Sequence, residues 1–399
     1  MSKVIFEGGT VLDGDRPPVP DSTVVVEGER IVSMGRDRVV PAAGDRVVDM
    51  TNRTLMPGMI TSHCHIEGVH VENGPEGLTM ATAIANCQTI IQSGFTGYVS
   101  AGVSYHIDAQ LQIAIDTGVV RGPRILSGSQ RINTTAYVND YDPWWKELID
   151  TPSDIYVDGV DQIRAAVRSQ IRHGARMIKI FPTAGRGFKY GRSPGLSNEE
   201  LQMVVQTAHG RGAKVRAHCV WLEQIHECID AGVDLIDHGD EIDEECIEKM
   251  LRRGTYWVPS MALPATRGLS DPSVVEADWK NIAEMLPVAN DAGVKILAGD
   301  DYGVPDMPHA LGAYVKDLVV AVDDFGIEPL SALRWATRHG ADVMGLVGET
   351  GTVAVGALAD LLVIDGDPST DIGLLSDPAA FIPAVMKGGV FMKDQLEIA

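Results

Sequence analysis

Cysteine is scarce in this chain: Cys64, Cys87, Cys219, Cys228 and Cys246 are five in all, odd in number and never spaced C-x-x-C. That excludes a disulfide framework and a thiolate zinc knuckle, and the five read as buried, reduced thiols. Basic residues are short as well. The 33 Lys and Arg face 55 Asp and Glu, and a net charge of −22 repels nucleic acid and anionic membranes. No apolar run is long enough for a membrane span, and the opening MSKVIFEGGTVLDGDRPP lacks the apolar core of a secretory signal. A cytoplasmic protein that binds neither nucleic acid nor membrane is therefore expected. Repeats and low-complexity segments are missing too. What is present, 399 residues at 45% hydrophobic composition, is enough for one large domain and a smaller one.

The two ends read alike. VIFEGGTVLDG, STVVVEGERIVSMG and DRVVDM at the start, then GTVAVGALADLLVIDGDP and AVMKGGVFMK at the end, are short β-branched runs split by Gly, Asp and Pro. Residues 1–56 and 349–399 are expected to join in one small β-sandwich around a central domain, residues 57–348. There, apolar runs alternate with amphipathic stretches, the pattern of βα units and a parallel sheet. Eight strands are expected, near Met59–Ile66, Thr96–Ala101, Arg124–Ser127, Met177–Phe181, Lys214–Cys219, Leu235–His238, Tyr256–Ser260 and Lys295–Asp301. Helices are expected over Gly159–His173 and Asn198–Arg211, the second opened by a capping box of Ser197 and Glu200. The fold class is α/β, a (β/α)8 TIM barrel whose active site lies at the C-terminal ends of its strands. Asn133–Thr151 is the longest irregular stretch and a candidate active-site loop.

Unusual polar residues collect at those strand ends. In TSHCHIE, His63 and His65 alternate to one face of a strand, where two imidazoles can grip one metal ion. Lys179 lies in RMIKIFP, His218 in VRAHC, His238 in LIDHGD, and Asp300 and Asp301 in LAGDD. Each alone has an ordinary explanation: an edge lysine, a satisfied core histidine, a helix cap. Sharing one rim of one barrel, they point jointly to a metal site.

These stretches resemble the amidohydrolase superfamily, whose signature PG-(L/M)-ID-x-H-x-H reads PGMITSHCH here. IIQSGFTGYVSAG, GPRILSGS, MIKIFPTAG, VRAHC, IDHG and LAGDDYG extend the likeness over nearly the whole chain, and KIFPTAG is similar to the branch of metal-dependent dipeptidases, prolidases and N-acyl amino acid hydrolases. The resemblance implies two divalent ions, zinc best, with manganese or cobalt also suited. His63 and His65 would hold one ion and His218 and His238 the other, with Asp301 on the first and Lys179, as its carbamate formed with carbon dioxide, bridging both. A hydroxide bridging the two ions would attack a C–N bond, and Asp301 would take its proton and pass it to the leaving amine. Two departures stand out. Relatives usually carry G-(S/T)-D where this chain has Gly299-Asp300-Asp301, and a loop histidine that polarises the substrate carbonyl corresponds here to Tyr137.

The substrate is expected to be a small molecule. Arg186, Lys189 and Arg192 in GRGFKYGRSPG form a basic loop suited to a carboxylate, and Trp144, Trp145 and Trp257 suit an apolar or aromatic part. A solvated basic loop and packed aromatics are equally compatible with these residues. A lactonase or urea/carbamate hydrolase would keep the same site, whereas a mononuclear deaminase or imidazolone-type hydrolase lacks the bridging lysine. A scaffold that had lost catalysis would also have lost ligands. A homo-oligomer is expected.

Overall fold

The computed structural model describes residues 2–138, 145–184, 192–262, 272–304 and 307–396. It opens with β1 (Lys3–Val11), β2 (Val19–Glu27), β3 (Arg30–Gly35), β4 (Arg46–Asp49) and β5 (Arg53–Pro57). Strands then alternate with helices: β6 (Met59–Cys64), α1 (Glu76–Gln92), β7 (Phe95–Ser100), α2 (Ile107–Asp116), β8 (Arg124–Leu126), β9 (Gly128–Asn133), β10 (Asp154–Tyr156) and α3 (Gly159–Arg172). After these come β11 (Met177–Ile180), α4 (Asn198–His209), β12 (Lys214–Cys219), α5 (Leu222–Ala231), β13 (Leu235–His238), α6 (Glu244–Arg253) and β14 (Tyr256–Val258). Helices Pro272–Ala292 and Lys316–Asp323 lead towards β15 (Leu361–Asp365), β16 (Ala384–Lys387) and β17 (Val390–Asp394). No described helix is long and apolar enough to cross a membrane.

Strands from both ends form one eight-stranded sheet, ordered β17-β16-β15-β5-β1-β2-β3 with β4 also on β1. The hydrogen bonds thus join the strands of both ends in one continuous sheet. Alternation along β15 and β16 explains its place in the fold. Leu361, Val363, Ala384 and Met386 share a core with Phe6, Val24, Val26 and Leu55, whereas Leu362, Ile364 and Val385 face the larger core beneath the central strands. One strand serves two cores.

The central strands run parallel in two sheets, β6-β7-β8 and β10-β9-β11-β12-β13-β14. α3 covers them with Ile163, Ala166, Val167 and Gln170, a helical stripe, and α4 opens with the expected Ser197–Glu200 capping box. β9 and β10 were not expected. They pair around Arg131, whose Nε donates to Asp154 Oδ1 at 2.8 Å, a side-chain tie that no periodicity reveals.

The expected strand over Lys295–Asp301 is not continuous. Leu297 N donates to Trp257 O at 2.8 Å on the β14 side, and Ser62 N in β6 donates to Ala298 O at 2.6 Å. Past that point the backbone leaves the ladder, because Gly299 N donates to the Asp317 carboxylate at 2.7 Å. A Cβ on Gly299 would stand 2.3 Å from His63 N, so only glycine permits this approach.

Arg124 of β8 clamps the terminal sheet to the central strands. Its Nε and Nη2 donate to the two oxygens of buried Asp360 at 2.7 and 2.9 Å. The Arg124 side chain is 27% exposed, so Arg124→Met should cost roughly 3 kcal/mol, the lower end for breaking a buried pair. Urea unfolding at matched metal content measures this. A loss under about 1 kcal/mol, typical of exposed pairs, would mean that the clamp contributes little.

Candidate active site

Four histidines and an aspartate converge at the ends of β6, β12 and β13 and at the turn after Gly299. His63 Nε2 and His65 Nε2 lie 2.9 and 3.2 Å from Asp301 Oδ1. The His238 ring stands 5.2 Å from His63 and 4.4 Å from His218. Ligand atoms of His63, His238 and Asp301 all lie within 4.8 Å of one another. Despite its short approach to Asp301, His63 makes no well-formed hydrogen bond at either ring nitrogen, and neither does His238 Nε2. Buried imidazole nitrogens without a well-formed hydrogen bond, gathered around a carboxylate, fit a divalent cation.

The surrounding residues aim these nitrogens. His238 Nδ1 meets Ser260 Oγ at 2.6 Å and His65 Nδ1 donates to Gly102 O at 3.2 Å, so each ring keeps Nε2 for the centre. His309 Nε2 donates to the His65 carbonyl at 2.8 Å and fixes the backbone there.

Beneath the rim lies a buried charge cluster. Lys179 Nζ donates to Asp237 Oδ2 at 2.6 Å, and Arg216 reaches both Asp237 oxygens, Nε at 3.0 Å and Nη2 at 2.5 Å. Burial by itself would raise the Asp237 pKa, but the charges of Arg216 and Lys179 hold it well below the usual carboxylate range. Burial, reinforced by the Arg216 charge, lowers Lys179 towards the neutral amine although Asp237 opposes the shift. Burial likewise depresses His63 to about 4 and His238 well below its ordinary value, there with help from His218. His63 and His238 are thereby poised neutral.

The rim thus gathers His63, His65, His218, His238 and Asp301, with Lys179 directly under it. Other expected residues lie elsewhere. Trp257 is fully buried and donates from Nε1 to the His238 carbonyl at 2.8 Å. It packs behind the site instead of lining a substrate space. Tyr137 donates to Ser193 O at 2.6 Å and accepts from Ala184 N at 2.8 Å, tying the two ends of the segment after β11 together. Arg192 is paired with Glu241 and Glu223. Trp144, Arg186 and Lys189 lie outside the described residues, and Trp145 is exposed. Asp300 is buried and accepts from Ala262 N.

The residues not anticipated were Asp237, Arg216, Asp317 and Glu67. A signal existed for the first two. Arg216 and His218 alternate to one face of β12, and the D in LIDHGD sits in an otherwise apolar strand, so charges were being buried together.

The model of the amidohydrolase family matches residues 54–391. The chain belongs to the amidohydrolase family. It is a hydrolase acting on C–N bonds, and its relatives lie in the dipeptidase and N-acyl amino acid hydrolase-like branch. The ochratoxinase of Aspergillus niger is 28% identical, over 98% of this chain and 86% of that protein. A prolidase solved with N-methylphosphonate-L-proline matches at a TM-score of 0.85 and 29% identity, over 99% of this chain and 100% of that one. A Xaa-Pro dipeptidase with methionine bound in its active site matches at 0.84 and 26%, over 98% and 99% of the two chains. In this amidohydrolase the donor set of the rim suits the divalent metals that the family generally uses.

Glu67, two residues past His65, offers a direct check on the polarity of this interior. Its Oε1 accepts from Ser104 N at 2.8 Å, whereas Oε2 has no partner. Burial, then Asp108, pushes its pKa up to about 7. Because the folded value lies above the unfolded one, folding takes up a proton. The associated stability is complete below about pH 4.5 and lost as pH rises through about 7, roughly 3 kcal/mol in all. Glu67→Gln removes that dependence. At matched metal content the variant should gain on wild type by about that amount between acid and pH 8, and parallel stability–pH curves would show that Glu67 ionises freely.

Proposed function

We propose that this chain is a binuclear metal-dependent amidohydrolase cleaving an amide or peptide-like bond in a small, carboxylate-bearing substrate. The observation that carries the reading is the group of buried imidazole nitrogens, both of His63 and Nε2 of His238, that make no well-formed hydrogen bond yet gather beside Asp301. On this reading residues 57–348 form a closed (β/α)8 barrel and residues 1–56 and 349–399 the small β domain. His63 and His65 would hold one ion, His218 and His238 the other. Asp301 would join the first and carbamylated Lys179 both. Zinc suits these nitrogen and oxygen ligands best, and manganese or cobalt would also serve. The five free, buried cysteines suit a reducing compartment such as the cytoplasm.

Divalent ions bound there would polarise the scissile carbonyl and acidify the attacking water. The protein's own residues do the rest. Lys179, buried and shifted towards its neutral form, has the nucleophilic amine that carbamylation needs. The resulting carbamate keeps one N–H, which can still donate to Asp237. Asp301, held low by His63 and His65 against the effect of burial, would accept the proton of the attacking water and deliver it to the leaving amine. The relatives that act on ochratoxin and on Xaa-Pro dipeptides direct attention to amides whose amine part carries a carboxylate. The loop of Arg186, Lys189 and Arg192 is the proposed holder of that group, with Trp144 beside the apolar part.

Elemental analysis should find two divalent ions per chain and chelation should abolish turnover. One ion at full activity would overturn the binuclear reading. Asp301→Asn should lower kcat by roughly a hundred- to ten-thousand-fold, the scale of a lost general acid–base. Asp300→Asn should cost far less, because its carboxylate oxygen serves Ala262 N and an amide oxygen can do the same. The reverse order would reassign the two aspartates.

Substrate class is decided by comparing Xaa-Pro dipeptides and N-acyl amino acids with their methyl esters, and with lactones and carbamates. The free acids should be preferred. Arg186→Ala should raise KM roughly ten- to a hundred-fold at unchanged kcat, the loss of one charge-assisted hydrogen-bond pair. Equal hydrolysis of acid and ester, with Arg186→Ala behaving as wild type, would refute the carboxylate requirement. A clear preference for lactones or carbamates would redirect the reading to that chemistry on the same rim.

A further inference from the structure

Asp301 sits in a turn that its own residues do not hold in place. Its backbone is at φ 56°, a conformation that persists only where the surroundings impose it. Asp317, fully buried in the first turn of the helix Lys316–Asp323, supplies part of that constraint. Its Oδ2 accepts from Gly299 N at 2.7 Å and its Oδ1 from the Tyr302 hydroxyl at 3.0 Å. One carboxylate therefore brackets Asp300 and Asp301.

Tyr302 extends the hold to two histidines. Its N donates to the His63 carbonyl at 3.2 Å, and its own carbonyl accepts from His65 N at 2.7 Å. The buried Tyr302 ring also packs on Tyr314, with centroids 4.9 Å apart. The Tyr314 hydroxyl lies 2.7 Å from His309 Nδ1, and His309 Nε2 donates to the His65 carbonyl. Tyr314 and Asp317 thus reach His63, His65 and Asp301 by separate routes from one short segment. His238 is held differently, by Ser260.

We propose that Asp317 is a positioning residue for the hydrolytic reaction, fixing through Gly299 and Tyr302 the turn that aims Asp301 at the first ion and the backbone that carries His63 and His65. The inference rests on the proposed metal site. The action is indirect: with Gly299 N and the Tyr302 hydroxyl released, Asp301 can relax to negative φ and swing its carboxylate away from the two imidazoles.

The test is the zinc affinity of the metal-free full chain, measured by competition with a chromophoric chelator, beside steady-state kinetics on the amide that wild type prefers. Asp317→Ala releases both bonds and should weaken zinc binding roughly ten- to a hundred-fold, the scale for losing a partner behind a metal ligand. Over a similar range kcat should fall while KM changes little, because the substrate contacts remain. Asp317→Asn, whose amide oxygen can still accept from Gly299 N, should recover much of both losses. Arg124→Met is the control: destabilised away from the rim, it should keep wild-type zinc affinity. Unchanged affinity in Asp317→Ala, or a loss no larger than in Arg124→Met, would overturn the proposal. Should Asp317→Ala fail to fold, Tyr302→Phe decides, since it removes only the hydroxyl: a smaller loss of the same sign is required, and wild-type affinity refutes the role. One zinc ion per wild-type chain would end the binuclear reading alone, because the affinity shift is read on whatever ions bind. A wild type that takes up no zinc would remove the metal site and this role together.

Discussion

One buried carboxylate organises the floor of the site. Asp237 holds Lys179 through one oxygen and Arg216 through both, and Arg216 Nη1 also donates to the Ser100 carbonyl at 2.7 Å. Strands β7, β11, β12 and β13 are thereby tied through side chains at the level of the rim. Two cations against one anion leave a net positive charge directly under a place suited to divalent metals. A protonated Lys179 would oppose such ions, so on the proposed reading metal binding and proton loss from Lys179 are linked. The depressed Lys179 pKa, caused first by burial, moves the residue in the direction that linkage needs.

The same economy appears in the outer layers. β15 divides its side chains between the terminal core and the central one, and Asp360, just before it, accepts from Arg124, Thr350 Oγ1 and Gly388 N. The terminal sheet is therefore packed into the central fold through apolar contacts and a satisfied carboxylate, not suspended on a linker. Loosening it would be felt at β6 and β7, which share that core.

Legibility in the sequence followed the physics of each element. β12 and β13 were bounded correctly over Lys214–Cys219 and Leu235–His238, and the start of α4 at Asn198 because its cap is a local motif, though the helix ends at His209, two residues before the expected Arg211. The rim histidines, Lys179 and Asp301 stand out in the sequence for a related reason: each is a polar residue near the end of an apolar stretch. What escaped depended on partners distant in sequence. β10 is held to β9 by the Arg131–Asp154 tie. Lys295–Asp301 loses its strand ladder to a carboxylate eighteen residues beyond Gly299. Trp257 was read as a pocket aromatic because an indole near a strand end looks alike from outside, and only the fold reveals that its N–H is committed to a backbone carbonyl.

That commitment also explains a backbone peculiarity at the rim. His238 and Asp301 both sit at positive φ, 69° and 56°, a conformation that costs a side chain about 1–3 kcal/mol. Gly239 follows His238 at φ 67°, and a Cβ there would come within 2.6 Å of Trp257 Nε1. The turn that swings the His238 imidazole inward therefore needs glycine after it and the Trp257 hydrogen bond behind it, with Ser260 holding the ring. On the opposite side, Gly299 lets the chain close against His63 before Asp301 turns in. Two unfavourable backbone conformations are thus maintained by packing and hydrogen bonds that extend beyond the rim, and in both cases the side chain they aim belongs to the same three-residue cluster.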